Sequence, residues 1–303
     1  MKTVDPNQDN ITVFTELYFE ISEFMKTFGP LFNAHLIGAC RQRPFCRMSV
    51  CEIMTVLIGF QIIGGQNFKQ YYKDTVCQFH RAEFPSLVSY SRFTEICPAV
   101  IIPLMLFLKF RMEMSLHTMI YVIDSTPLKV CINLRIPHHR VFTETAARGK
   151  TSTGWFYGFK LHLVINHIGE LMSVNITAGN TDDRKPVRDM VNRLKGKLSG
   201  DRGYISAKPA ADLAEHGLHL ITALRKNMKK QDIDFCGRIL PRKRAAVESV
   251  NDLPKNFFQP EHSRHRSVSG FTANLFSALI AYTFYPKKPH MRGIDLRNAL
   301  ITI

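Results

Sequence analysis

The sequence predicts an α/β protein in which an all-helical N-terminal domain precedes a mixed five-stranded sheet flanked by helices. Three observations carry this reading. Residues 11–115 space their apolar side chains at helical period. At about residue 117 the pattern changes to short apolar runs and period-two alternation, and from residue 182 helices and strands alternate. The expected boundaries are 1–115 for the helical domain, 116–290 for the α/β domain and 291–303 for a C-terminal tail. At 303 residues the chain is long enough for two domains of this kind.

In the helical part, Phe14, Leu17, Tyr18, Ile21, Phe24, Met25 and Phe28 follow one stripe. Ser49 to Glu52 has the form of a capping box, opening a helix through about Ile63 that Gly64 and Gly65 end. Further helices are expected over 66–80, from near Ser91, and over 98–112, the last interrupted by Pro103. This region suits either recognition of a DNA end or helical packing and dimerisation.

The strands follow in order. Met119 to Ile123 is a compact apolar run that ends in Asp124. Phe159, Leu161, Leu163 and Ile165 alternate with Lys160, His162, Val164 and Asn166, and a turn at Asn166–Gly169 returns the chain as a strand over Glu170–Thr177. Asp182 and Asp183 precede a helix to about Leu194, Leu198–Asp201 is a short strand, Tyr204–His216 is helical, and Leu218–Leu224 is the fifth strand.

The formal net charge of +15 is unevenly placed. Residues 1–116 carry 11 Lys and Arg against 10 Asp and Glu, whereas residues 117–303 carry 29 against 15. A basic field confined to the C-terminal part points to a polyanion partner. The seven cysteines are scattered without a CxxC pair, which suits free thiols in a reducing compartment. The N-terminus lacks the layout of a signal peptide, and the longest apolar run, Pro98–Leu108, is shorter than the roughly 20 residues of a membrane span, so a cytoplasmic protein is expected.

Three acids stand at the ends of separate elements within this basic part: Asp124, Asp201 and Glu248. Carboxylates gathered from several elements are what Mg²⁺ takes together with substrate phosphates. Each acid also has a plain structural reading, as a turn residue, a helix cap and half of an Arg244–Glu248 surface pair respectively. Asp182 and Asp183 read as caps rather than ligands. Gly149-Lys150-Thr151 is not a phosphate loop, because Glu144 stands where that motif requires Gly. Trp155, Phe156, Tyr157 and Phe159 fit either core packing or stacking on a displaced base. Lys160 and His162 share a strand face and fit either DNA contact or a solvated sheet.

The spacing Asp124-(76)-Asp201-(46)-Glu248, with Arg244-(3)-Glu248-(6)-Lys255, resembles the DDE transposases of bacterial insertion sequences. More closely, YVIDSTPLKVC, AARGKTSTGWFYGFKLHLVINHIGE, GNTDDRKPV, GDRGYIS, LRKNMK, RKRAAVESVND and EHSRHRS resemble the insertion-sequence family numbered 982. The likeness is dense over about residues 120–290 and loose before them. Two prolines depart from the pattern: Pro241 replaces a Tyr, and Pro254 falls inside the expected Glu248 helix, where it costs about 3 kcal/mol.

The resemblance implies an RNase H-like fold and two divalent ions, Mg²⁺ with Mn²⁺ as a substitute, held by Asp124, Asp201 and Glu248. It implies metal-dependent strand cleavage at the element ends and strand transfer to target DNA, in a bacterial, nucleoid-associated protein. Double-stranded DNA is the partner, both terminal inverted repeats and target, and pairing two ends calls for a homodimer or larger assembly. The expected DNA contacts are Lys160, His162, Arg202, Arg225, Lys226, Arg242, Lys243, Arg244 and Lys255. A DNA-binding remnant unable to cut, or a nuclease without strand transfer, are the alternatives.

Overall fold

The computed structural model describes residues 9–36, 47–64, 67–151, 154–204, 207–222, 267–289 and 291. The chain divides into two compact units, one within Met1–Arg111 and Asn256–Pro286, the other within Met112–Lys255 and Lys287–Ile303.

The first unit is helical: α1 (Asn10–Leu36), α2 (Val50–Ile63), α3 (Phe68–Gln70), α4 (Cys77–Phe79), α5 (Tyr90–Ile96) and α6 (Ile101–Glu113). A π-helical turn at Tyr71–Val76 joins α3 to α4, and a 3₁₀ turn at Cys97–Val100 joins α5 to α6. The expected capping box is present: Ser49 Oγ accepts from the Glu52 amide at 3.2 Å, and the Ser49 amide donates back to Glu52 Oε2 at 2.6 Å. Gly64, at φ 83°, ends α2 as expected. Pro103 does not interrupt α6, because it lies in the first turn, where no intrahelical donor is needed. Aromatic rings fill the core, with Phe24 against Phe28, Phe107 and Phe110, and Tyr72 against Phe93.

A late helix, α9 (Val268–Phe284), belongs to this same unit, although the sequence reading placed it in the α/β domain. The reason is side-chain fit. Gln61 Nε2 of α2 donates to Asn274 Oδ1 at 2.7 Å, Phe107 meets Phe284, and buried Arg111 donates to Thr283. The continuous helical stretch Tyr90–Glu113 passes the length and hydropathy of a membrane span, which corrects the expectation from Pro98–Leu108. Its buried face (Phe93, Val100, Leu104, Phe107, Leu108, Arg111) packs protein, as the core helix of a globular unit does.

The second unit is built on a six-stranded sheet: β1 (Ile120–Cys131), β2 (Ala147–Thr151), β3 (Gly154–Asn166), β4 (Leu171–Ala178), β5 (Gly196–Gly200) and β6 (Leu218–Thr222). The order is β2-β3-β1-β5-β6, with β4 also on β3. β1 runs antiparallel to β3 and parallel to β5, and β6 parallel to β5. β2 pairs with Gly154–Gly158 and β4 with Phe159–Ile165, so both share one edge of β3. The short hairpin strand β2 is the sixth strand, one more than the sequence predicts. Among the described residues the helices of this unit are α7 (Val187–Val191) and α8 (Ala207–Glu215), and its core joins Tyr121, Ile123, Val164, Met190, Leu198 and Leu213.

β1 is longer than expected. It does not end at Asp124 but continues through Pro127 to Cys131. Beyond Val122 the described pairing of β1 is with β3 alone, so a residue without an amide donor is tolerated on its other edge. The β3–β4 turn is as expected, with Gly169 at φ 82° and its amide donating to the Asn166 carbonyl at 3.0 Å.

Candidate active site

Asp124 and Asp201 are brought to one level by the parallel pairing of β1 and β5. Val122 pairs with Ser199, and two residues further along each chain stand Asp124 and Asp201. Asp201 follows the last residue of β5, where the chain turns into a 3₁₀ segment at Arg202–Tyr204 and the Tyr204 amide donates to the Asp201 carbonyl at 2.9 Å. Both acids are half-buried. Close packing fixes the approach to Asp201: a Cβ on Gly200 would lie 3.2 Å from both Ile123 Cγ2 and Tyr204 Cδ2.

Tyr204 is a residue that sequence reasoning missed as part of this end of the sheet. Its ring is buried, and its hydroxyl feels the charges of Asp183, Asp124 and Asp201, in that order. Burial first, and then those three carboxylates, push the phenol well above its ordinary value, so it stays a neutral donor. Ser125 is near enough to temper that shift. Even so, no group among the described residues meets hydrogen-bond geometry with the hydroxyl. The signal available in the sequence was position alone, in the run Asp201-Arg202-Gly203-Tyr204.

Lys160 and His162 do share one face, but it is not the face of Asp124. His162 pairs with Ser125 and Lys160 with Pro127, while Asp124 pairs with Leu163. Successive residues of a strand point to opposite sides, so Asp124 faces away from both. Lys160 Nζ is held at 2.9 Å by the Thr181 carbonyl and at 2.9 Å by Asp183 Oδ1. His162 is 0% exposed and its Nε2 lies 2.9 Å from Thr177 Oγ1. Expected as a DNA contact, the His162 ring presents no surface to a ligand, because the pleat turns it into the sheet's packed side.

Asp182 is not the expected helix cap, because α7 starts later, with Pro186 at its N-cap. It accepts from the Arg184 amide and Nε at 2.9 Å each and pairs with the guanidinium, which holds its carboxyl well below the usual range. Asp183 is instead the partner of Lys160. Glu248, together with Arg225, Lys226, Arg242, Lys243, Arg244, Lys255 and both prolines of interest, lies outside the described residues, as does the side chain of Arg202.

Among the described residues, no group of three acids, histidines or cysteines could hold a metal ion. Two carboxylates at one level, on β1 and just past β5, nevertheless fit a hard divalent cation, which takes one or two carboxylates and completes its shell with phosphate and water oxygens.

The strand order, with antiparallel β1 to β4 joined through β1 to parallel β5 and β6, and with Asp124 on β1 level with Asp201 just past β5, defines an RNase H-like α/β domain. The chain belongs to the transposase DDE domain family, which matches residues 114–268, just over half its length. A cryo-EM structure of a piggyBac transposase synaptic complex with hairpin DNA is a distant likeness, at a TM-score of 0.42 and 11% identity over 91% of this chain and 74% of that one. No curated protein matches the chain.

Proposed function

We propose that this chain is an insertion-sequence transposase that cuts DNA at the ends of its element and joins the freed 3′ ends to a target. The observation that carries the reading is the β1–β5 register, which sets Asp124 and Asp201 side by side in a chain of the DDE family. Asp124, Asp201 and Glu248 would hold the divalent ions, Mg²⁺ or Mn²⁺. Such ions activate an attacking water or 3′-hydroxyl and stabilise the leaving oxygen in an in-line displacement at phosphorus.

The chain's own residues supply position and charge. The central strands hold the two aspartates at fixed height, and the basic field of residues 117–303 neutralises the phosphates of end and target DNA. Arg225, Lys226, Arg242, Lys243, Arg244 and Lys255 would track the backbone around Glu248, with Arg202 beside Asp201. Hydrolysis and strand transfer can share one site because only the attacking oxygen differs. Bringing two ends together assigns the chain a homodimer or larger assembly on DNA.

The test is incubation of purified protein with labelled element ends and a target plasmid, in Mg²⁺ or in EDTA. Metal-dependent 3′ cleavage and joined molecules are expected, both abolished by Asp124→Ala, Asp201→Ala or Glu248→Ala with DNA binding largely kept. Cleavage that persists in Asp201→Ala overturns the assignment. Nicks without joined molecules indicate a simple nuclease, and binding without product a remnant.

A further inference from the structure

The β2–β3 hairpin carries a surface that the catalytic reading does not use. Lys150 pairs with Trp155 and Arg148 with Tyr157, and cross-strand partners share a face, so Arg148, Lys150 and Trp155 stand together. Phe156, Tyr157 and Phe159 of the same aromatic run are buried, but Trp155 is 60% exposed. Lys150 Nζ lies 5.6 Å from the centre of the Trp155 ring, within reach of its π face. Asn133 Nδ2 donates to the Trp155 carbonyl at 3.1 Å, which draws alongside a 3₁₀ turn (Asn133–His138) where Leu134 and Arg135 are exposed.

Charge selects the occupant. Residues 125–160 contain six Lys and Arg against one acid, Glu144. Among the described residues, none of Arg135, Arg148 and Lys150 forms an ion pair. A second copy of this chain, at net charge +15, would meet these cations with like charge, whereas a nucleic-acid strand offers phosphates to the cations and a flat π face to the indole. Within a paired duplex the base faces are covered by their neighbours, so a base presented to Trp155 must be unpaired.

Resting on the DNA reading for its choice of polyanion, we infer that Arg148, Lys150 and Trp155 form a DNA-binding surface for an unpaired base, with Trp155 stacking on the base and the two cations taking the flanking phosphates. Trp155 is the only tryptophan in the chain, so its fluorescence reports the contact directly.

The full chain is titrated, in EDTA so that no cleavage intervenes, with a blunt DNA duplex and with the same duplex carrying a short single-stranded extension. The extended duplex should quench the tryptophan emission. By anisotropy of labelled DNA, Trp155→Ala should weaken binding of the extended duplex by about tenfold, the size of one base–aromatic stack. Binding of the blunt duplex should change little, and Trp155→Phe should keep most of the preference. Circular dichroism checks that the variants fold. Unchanged emission at saturation, or an equal loss on both DNAs, overturns the inference. So does self-association that Trp155→Ala abolishes, which would assign the face to a second copy. The two readings fail separately: a chain that quenches but never cuts in Mg²⁺ loses the catalytic one, and a chain that cuts without quenching loses this one.

Discussion

Lys160 Nζ stands 2.9 Å from Asp183 Oδ1, and His162, two residues along the same strand face, feels both charges from a fully buried position. Burial lowers the imidazole below its ordinary value, Asp183 opposes that, and Lys160 adds to it. The folded chain therefore binds a proton at His162 less readily than the unfolded chain does. The stability this contributes is complete above the unfolded value of about 6.5 and is lost as pH falls from there towards the depressed folded value. Urea midpoints measured from pH 8 to pH 5 should fall on acidification, and His162→Gln should flatten that part of the slope. Identical slopes in parent and variant would show that the ring does not carry it.

Gly196 governs the height of β5 against β1. At φ 112° it adopts a conformation that favours glycine, and a Cβ there would lie 2.2 Å from the Met119 carbonyl oxygen. On either side, the Gly196 amide donates to Gly217 and the Lys197 amide to Met119, each at 2.8 Å. Gly196→Ala should cost about 2 kcal/mol or more and displace the strand that carries Asp201. Cleavage should fall further than DNA affinity does, compared in one assay at a temperature where the variant is folded. A variant as stable as the parent would mean that the strand start is not pinned there.

These two cases show what the sequence could and could not express. Period-two alternation made Phe159–Ile165 legible as a strand, and the capping residues made α2 legible, because both signals are local. The relation of Lys160 and His162 to Asp124 was not legible. It depends on which residue of β1 faces which residue of β3, and a shift of one would have put all three on one side. β1 looked finished at Asp124 because Ser-Thr-Pro reads as a turn, whereas among the described residues β1 pairs beyond Val122 with β3 alone, which tolerates Pro127. The placement of α9 with the helical unit was hidden for a related reason, since Gln61–Asn274 and Arg111–Thr283 join positions far apart in the chain. Asp124 and Asp201 could be proposed from spacing, whereas their common level came from the register.

Arg111 ties three helices of the helical unit together. Buried to 2% exposure, it donates from Nε to Thr283 Oγ1 at 3.1 Å, lies 3.4 Å from Glu20 Oε2, and stacks 3.9 Å over the Phe284 ring. Arg111→Ala should cost about 3 kcal/mol, because it opens a cavity and leaves Glu20 without its guanidinium. Arg111→Lys should not restore the parent, since an ammonium lacks the planar fork and the stack. Thermal unfolding of the three chains gives the order parent, Lys, Ala. A lysine variant equal to the parent would show that charge alone suffices.

Tyr204 separates stability from activity at the catalytic end of the sheet. A buried hydroxyl without a partner costs about 1–3 kcal/mol, so Tyr204→Phe, which keeps the ring against Gly200 and Ile123, should be at least as stable as the parent. The hydroxyl feels the charges of Asp183, Asp124 and Asp201, the last two being the acids of the site. Its loss should then lower cleavage by about tenfold, the usual effect of removing a group that orients metal ligands. Measured together, a chain that is firmer and slower identifies the hydroxyl as a positioning group, maintained at the expense of stability. Unchanged cleavage would leave the hydroxyl idle, and a lower melting temperature would mean that it already has a partner in the folded chain.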